Sequence, residues 1–460
     1  MRLALVLAVL VACGSSQPPP TPMQADLVVT HADCTKPPAR MISHRDAAAD
    51  LDVVERVLRR GYAGFEPLAR RGVDWTAAFA KLRDDLAALP EPIDVEQLRD
   101  WLATELAFTN DNHLGVYTVA SDGSHASRSA GSHLDAFAAP SIAVERVDGA
   151  WHAAANLPQL GGEPVTHCEP EVEMRPVVNG GRRIWVPIAL AHHQPDAIRC
   201  ELASGTMSSL ALPITGSYRN GPAFERREAG APILRLRSFD PTKRTELDAF
   251  VATAVELRNA KAIVLDVRGN QGGSDDFVRA WFRDLTSDTL HGPTIDMLIS
   301  DVNAQGTSNL ATCHGGISQL RPSDYRVWKT FALDDKGRAP APYRGTIVVV
   351  TDRDCASSCE SLVHYARQLP NTIVVGENTA GTGVFGEVVP YRLPRSGIWL
   401  QAGTKWFHDR VRNQTAIEGT GYLPDLWLDK PDDTTVDNLA RCVADPACAA
   451  EIASWTHVPT

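Results

Sequence analysis

The stretch from Gly345 to Gly383, GTIVVVTDRDCASSCESLVHYARQLPNTIVVGENTAGTG, constrains the fold more than any other part of the chain. Its apolar run Ile347 to Val350 breaks at Asp352-Arg353-Asp354, and Ser357 and Ser358 then open an amphipathic segment that leads to a second apolar run. This pattern reads as strand, tight turn, helix, strand. A strand feeding a turn that opens a helix gathers the turn's side chains and the first free N–H groups at one point, where developing negative charge is stabilised. A nucleophile would sit there. Ser is equally an ordinary N-cap, so this stretch alone leaves Ser357 and Ser358 undecided.

At 460 residues the chain is too long for one ordinary core and implies two or three domains. Its net charge of -11, without any basic block, argues against nucleic acid or an anionic membrane surface as the main partner. Arg2 precedes the apolar stretch Leu3 to Ala12, too short to span a bilayer but suited to a secretory signal. It ends in Leu10-Val11-Ala12-Cys13, which resembles the lipobox of bacterial lipoproteins, with Cys13 as the acylated residue. Gly14-Ser15-Ser16 and a Pro-rich run follow as a flexible tether. An incidental Cys after an ordinary signal peptide is the alternative. The expected location is the bacterial cell envelope, on a periplasmic or outer-membrane face, exported and held through the lipid.

Export matches the cysteine usage. Nine cysteines less Cys13 leave eight, an even number that suggests disulfides in an oxidising compartment. Cys442 and Cys448, with Asp445-Pro446 turning between them, are the expected pair. Cys168 and Cys200 are candidates to staple the region that contains them. No cysteine or histidine spacing suits zinc, so neither a metal nor a cofactor is expected.

Taken in order, the chain divides into a signal peptide at 1–12, a tether at 13–40, a helical domain at 41–118, a β-rich domain at 119–225, an α/β core at 226–430 and a C-terminal tail at 431–460. Helical periodicity runs over Asp46 to Arg60, Ala77 to Ala88 and Val95 to Ala107, the last opened by Asp94 and Gln97 in a capping-box arrangement. His113 then falls at a helix-to-strand corner, ordinarily the place of a capping or surface residue. Short apolar pieces between Gly, Pro and Asn suggest strands and long loops over 119–225, with His192 and His193 in a loop. From Ala231, a strand, a helix over Thr245 to Asn259 and the apolar strand Ala262 to Val267 form a βαβ unit, implying a parallel or mixed sheet flanked by helices. Gly269, Gly272 and Gly273 follow it in a loop able to aim backbone N–H groups at an oxyanion. That loop lacks the GKT or GKS of a P-loop. Residues 286–345 read as irregular, and the tail as helical and peripheral.

LDVRGNQGG at 265–273, CASSCE at 355–360, VVGENTAGTG at 374–383 and IEGTGYLPD at 417–425, with Gly72-Val-Asp-Trp75 and Asn110-Asp-Asn-His113, resemble the tail-specific or C-terminal-processing serine peptidases. The resemblance runs in order from about 46 to 430 and includes the tricorn core. It implies a mixed βαβ sheet core of the ClpP/crotonase type, an N-terminal helical domain and a β-rich insert of degenerate PDZ-like character. No clear carboxylate-binding loop is present in that insert, which puts recognition of a free C-terminus in doubt.

One branch of this family uses a Ser-Lys dyad, but Thr382 stands where the lysine would be. A threonine cannot serve as that base. The other branch, that of the tricorn core, uses Ser, His and Glu. It carries the nucleophile onto Ser357, the base onto His113 and the orienting carboxylate onto Glu418, with the N–H groups of Ser358 and Gly272, or Gly273 in its place, as oxyanion donors. Among other bases, His364 lies two turns, ~10 Å, along the helix from Ser357, too far for direct transfer. His408 ranks behind His113, and Lys405 suits the wall of the cleft. Cys355 and Cys359, which flank Ser357, suit a disulfide or buried thiols better than a catalytic role. The resemblance thus implies a serine endopeptidase, with peptides or unfolded proteins as substrate and no nucleic-acid partner. A membrane contact would run only through the lipid, and the oligomeric state stays open. The alternative is a non-catalytic binder of apolar ligands, or a scaffold, on the same fold; an esterase using the same triad is a third reading. Because His113 and Ser357 come from different domains, a hinge between them could switch activity.

Overall fold

The three periodic stretches near the N-terminus become three helices, with a fourth, short one between the first two, in the computed structural model, which describes residues 25–120, 221–315, 326–408, 421–428, 431–448 and 450, with strands and short pieces between 124 and 210. They are α1 (His44–Gly61), α2 (Phe65–Arg70), α3 (Trp75–Leu86) and α4 (Val95–Leu106). Side-chain caps set three of the starts: Ser43 accepts from the Asp46 N–H, Asp74 from Thr76 and Ala77, and Asp94 from Glu96 and Gln97. α2 is a turn and a half and too short to show a period.

The chain then forms β1 (Gly115–Val119) and β2 (His125–Ser129) and enters the β-rich region. Its described strands lie between Asp135 and Leu210 in two sheets, one of them crossed by the Cys168–Cys200 disulfide. The core follows as β3 (Phe224–Ala229), β4 (Ala231–Leu236), α5 (Arg244–Glu256), β5 (Ala262–Asp266), α6 (Asp275–Leu285), β6 (Thr289–Ile299), α7 (Asp301–His314) and β7 (Val327–Lys336). It closes with β8 (Thr346–Thr351), α8 (Ser358–Ala366), β9 (Thr372–Gly376), β10 (Phe385–Arg392), β11 (Trp399–His408), β12 (Leu426–Trp427) and α9 (Asp433–Ala444).

Two sheets position the site. The first has order β3-β4-β5-β8-β9-β12, antiparallel only between β3 and β4 and parallel across the rest. Its inner strands β5, β8 and β9 are buried on both faces, as parallel strands flanked by helices must be. Alternation sends Ile263, Leu265, Ile347 and Val349 toward α5, α6 and α8, while Val264, Val348 and Val350 meet Val436, Ala440 and Val443 of α9. The expected α/β class with a mixed βαβ sheet is therefore the observed one. The second sheet, β7-β6-β11-β1-β2 with β10 also on β11, pairs Trp399 of β11 with Tyr117 of β1.

That pairing removes the basis for a hinge between helical part and core. Val54, Val57, Leu58, Leu98 and Leu102 share one hydrophobic cluster with Val389, Tyr391, Leu400 and Ala402. Three further expectations differ from the structure. Residues 25–40 are docked, not tethered: Leu27 and Val29 are buried and Cys34 is bonded to Cys313. The described parts of 286–345 are not irregular but supply β6, α7 and β7, whose mixed polar faces leave no clean period. The tail is helical but not peripheral, since α9 covers one face of the main sheet. Cys355–Cys359 and the expected Cys442–Cys448 pair complete four disulfides.

Candidate active site

In parallel strands the carboxyl ends point the same way, so neighbours in the sheet present their following loops side by side. β5, β8 and β9 are adjacent, and behind them come the loops 267–274, 352–357 and 377–383. These are three of the four motif segments, brought together by topology alone.

Ser357 sits at the head of α8 with φ 56 and ψ -117. For a residue with a Cβ this conformation costs ~1–3 kcal/mol and persists only where its surroundings impose it. Those surroundings are dense. Ala356 N–H donates to Asn270 O at 3.0 Å, Ala380 N–H donates to Cys355 O at 2.8 Å, and the Ser358 hydroxyl donates to Gly273 O at 2.9 Å. The Cys355–Cys359 disulfide closes the turn from both sides of the serine.

A carboxylate not assigned any role from the sequence lies beneath the turn. Glu360 is fully buried and its Oε1 accepts from the Thr379 hydroxyl at 2.7 Å and the Gly381 N–H at 2.9 Å. Its Oε2 accepts from the Thr382 N–H at 2.8 Å, the Thr382 hydroxyl at 3.0 Å and the Ser357 N–H at 3.3 Å. Ser357 followed at the third residue by Glu360 is a capping-box spacing, and that spacing is the signal that could have found it. In the first turn of α8 the carboxylate also faces the positive end of the helix dipole.

His113 lies where the corner was expected, after Asn110 in a left-handed conformation and before β1. The fully buried Asp111 accepts from the Tyr62 hydroxyl at 2.7 Å and the His113 N–H at 2.8 Å, which fixes the corner to the end of α1. Burial pushes the Asp111 carboxyl up, opposed by the charge of His113 and the Tyr62 hydroxyl. Asn112 Nδ2 donates to Gly381 O at 3.3 Å, so the His113 corner abuts the loop that Glu360 holds. Nδ1 of His113 is buried and has no hydrogen-bond partner among the described residues.

Glu418 lies outside the described residues, as do Cys13, His192 and His193. The chain re-enters at Gly421 directly on the same loop. Tyr422 N–H donates to the Thr379 hydroxyl at 2.7 Å, and Thr379 N–H to Tyr422 O at 3.0 Å. A Cβ on Gly421 would lie 2.1 Å from Thr379 Oγ1.

The oxyanion assignment needs one correction. Gly272 lies against the turn, and a Cβ there would meet Ala356 O at 2.6 Å and Ser358 N at 2.9 Å. Its N–H, however, already donates to Asn270 Oδ1 at 2.8 Å. Gly272 therefore gives room for approach rather than a donor, which leaves the alternative, Gly273, beside Ser358. Two of the other base candidates are occupied. His364 is buried with Nε2 2.9 Å from His291 O and Nδ1 3.3 Å from the Tyr422 hydroxyl. Lys405 Nζ pairs with Glu387 at 3.0 Å, and His408 stands in register with Thr294. No group of three His, Cys, Asp or Glu among the described residues could hold a metal.

Behind the loops the charges are structural. Burial would raise Asp266, but the bidentate Arg268, with Arg237 and Arg235, outweighs it and holds the carboxyl at about 2. Asp352, which accepts the Gly269 N–H at 2.8 Å, is pushed up to about 6 by burial, with the Asp354 charge adding to it.

Residues 231–427 match the family model described as peptidase family S41. No curated protein matches the chain in sequence. Among solved structures, mature CPAF is 15% identical with a TM-score of 0.49, over 89% of this chain and 98% of that one. The photosystem II D1 C-terminal processing protease is 16% identical with a TM-score of 0.40, over 88% and 98%. The tricorn protease is 13% identical with a TM-score of 0.38, over 87% of this chain and 37% of that one.

Proposed function

We propose that this chain, whose residues 231–427 match the model of peptidase family S41, is a serine endopeptidase that cleaves peptides or unfolded proteins through an acyl-enzyme on Ser357. The observation that carries the reading is the convergence of the Asn110–His113 corner, the Ser357 turn and the 379–382 loop at the carboxyl ends of β5, β8 and β9. His113 takes the Ser357 hydroxyl proton as general base and returns it to the leaving amine. A buried imidazole nitrogen without a partner needs an acceptor, and Glu418, three residues before Gly421, is the carboxylate this reading assigns to His113 Nδ1. The N–H groups of Ser358 and Gly273 receive the oxyanion at the start of α8. Substrate specificity toward free C-termini forms no part of the proposal.

We assign the chain to the bacterial envelope, exported and acylated at Cys13. Among the described residues no helix is long and apolar enough to cross a membrane. In this reading the membrane contact is the lipid on Cys13. Palmitate incorporation that persists in Cys13→Ser would remove it.

The test of the chemistry is covalent labelling of the full chain in mild detergent with a fluorophosphonate, the adduct located by peptide mass spectrometry. Label on Ser357 that vanishes in Ser357→Ala and falls ~10²- to 10⁴-fold in His113→Ala is expected. A folded, unlabelled protein would point to the ligand-binding reading instead.

A further inference from the structure

The position at which the dyad branch has its lysine is not empty of purpose in this chain. Thr382 Oγ1 accepts the Ser357 N–H at 2.7 Å and donates its own hydrogen to Glu360 Oε2 at 3.0 Å. A hydroxyl can accept and donate at once, whereas an ammonium has donors only. A lysine therefore could not make this pair of bonds.

We propose that Thr382 is a positioning residue for the nucleophile: its hydroxyl, oriented by buried Glu360, fixes the Ser357 backbone in its left-handed conformation and takes the Ser357 N–H out of the oxyanion site. The inference rests on Ser357 being the nucleophile. Three observations support it beyond the bond itself. Ser357 is one of three residues other than glycine with a positive φ among the described residues, so something must hold it there. Glu360 receives both the N–H and the hydroxyl of Thr382, which leaves that hydroxyl's lone pairs directed away from the carboxylate and toward the Ser357 N–H. The neighbouring Gly381 accepts from Asn112 beside His113, so the loop that carries Thr382 touches both the nucleophile and the base corner.

A consequence for the chemistry follows. With the nucleophile's own N–H held by Thr382 at 2.7 Å and, more weakly, by Glu360 at 3.3 Å, the oxyanion must be received by donors from either side of it, Ser358 on α8 and Gly273 on the neighbouring loop. Threonine in place of lysine thus marks a site that has exchanged a proton acceptor on this loop for a backbone clamp, and has to take its base from elsewhere.

The experiment compares wild type, Thr382→Val, Thr382→Ser and Glu360→Gln as full chains, measuring the saturating rate and half-saturating concentration of fluorophosphonate labelling at Ser357. Valine keeps the shape of threonine and loses the hydroxyl. Its saturating rate should fall about ten- to a hundredfold with little change in half-saturation, while serine should stay within about threefold of wild type. A purely structural role would lower melting temperature without separating valine from serine in this way. Valine labelled at the wild-type rate, or serine as slow as valine, overturns the proposal. Should Thr382→Val fail to fold, Glu360→Gln, which sets an amide donor among the same N–H groups, must also slow labelling, and the wild-type rate there overturns it too. Absence of label from wild type would instead sink the hydrolase reading, and this inference with it.

Discussion

Individual residues at this site are set by what surrounds them rather than by their type. Asp352 illustrates it, because its carboxyl is raised from 3.8 to about 6 by burial and so binds a proton more tightly in the folded chain than in the unfolded one. Folded protein gains stability from this group as pH falls from 6 toward 4, and the penalty on the ionised form is present in full above 6. Asp352→Asn should stabilise the chain at pH 8 by up to ~3 kcal/mol, less the weakened bond to Gly269, and the gain should disappear below pH 4. Denaturant melts of both proteins across that range would check it. Asp266 has the opposite sign: lowered to about 2, it contributes stability above 3.8 that is lost as the pH falls through 2. Ser357 and His113 were legible as candidates because short motif strings carried them. Glu360 was in the same string but unassigned, and Thr382 was read only as something missing. The capping-box spacing shows one partner of Glu360, Ser357, but its bonds to the 379–382 loop, and those of Thr382, belong to the folded loops and do not show along the chain.

At the scale of elements, the strand-turn-helix around Ser357 was readable because an apolar run, a charged break and an amphipathic run are local signals. β6, α7 and β7 were not, since their faces meet both the core and solvent and leave no clean period. Two predictions belong here. Gly272→Ala would place a methyl 2.9 Å from Ser358 N in a backbone with φ +92, blocking the approach of an oxyanion. Labelling should fall on the order of 10²- to 10³-fold, as for loss of an oxyanion donor. Replacing Cys355 and Cys359 by Ala together removes a loop of four-residue separation, which should cost about 2 kcal/mol in a thermal melt. Labelling should slow as well, since the bond encloses Ser357; an unchanged rate would make the bridge a stability element alone.

As a whole molecule, the helical part and the core share one hydrophobic cluster and one sheet, cross-linked by Arg60 to Asp301 and by Asp50 to the Arg395 and Ser396 N–H groups. Domain divisions read from composition could not show this, because the contacts join residues hundreds of positions apart. Leu58→Ala, at a fully buried site, should cost ~2–5 kcal/mol. Loss of near-ultraviolet dichroism and loss of labelling should then share one midpoint. Separate midpoints would show that the helices can let go while the core survives.

The N-terminal docking has a mechanical meaning. Cys34 is bonded to Cys313 at the end of α7, Asn309 of that helix holds the Leu27 carbonyl at 3.1 Å, and Asn309 also holds Pro390 O on β10 at 3.1 Å. A force applied to the chain ahead of Asp26 would meet the Asp26 ion pair with Arg56 of α1 and the packing of Leu27 first, and the covalent cross-link at Cys34 behind them. The load is then shared between α1 on one side and, through Asn309 and Cys313, α7 and the second sheet on the other. A chain pulled from this end would spread the strain over several elements rather than peel one helix from the rest.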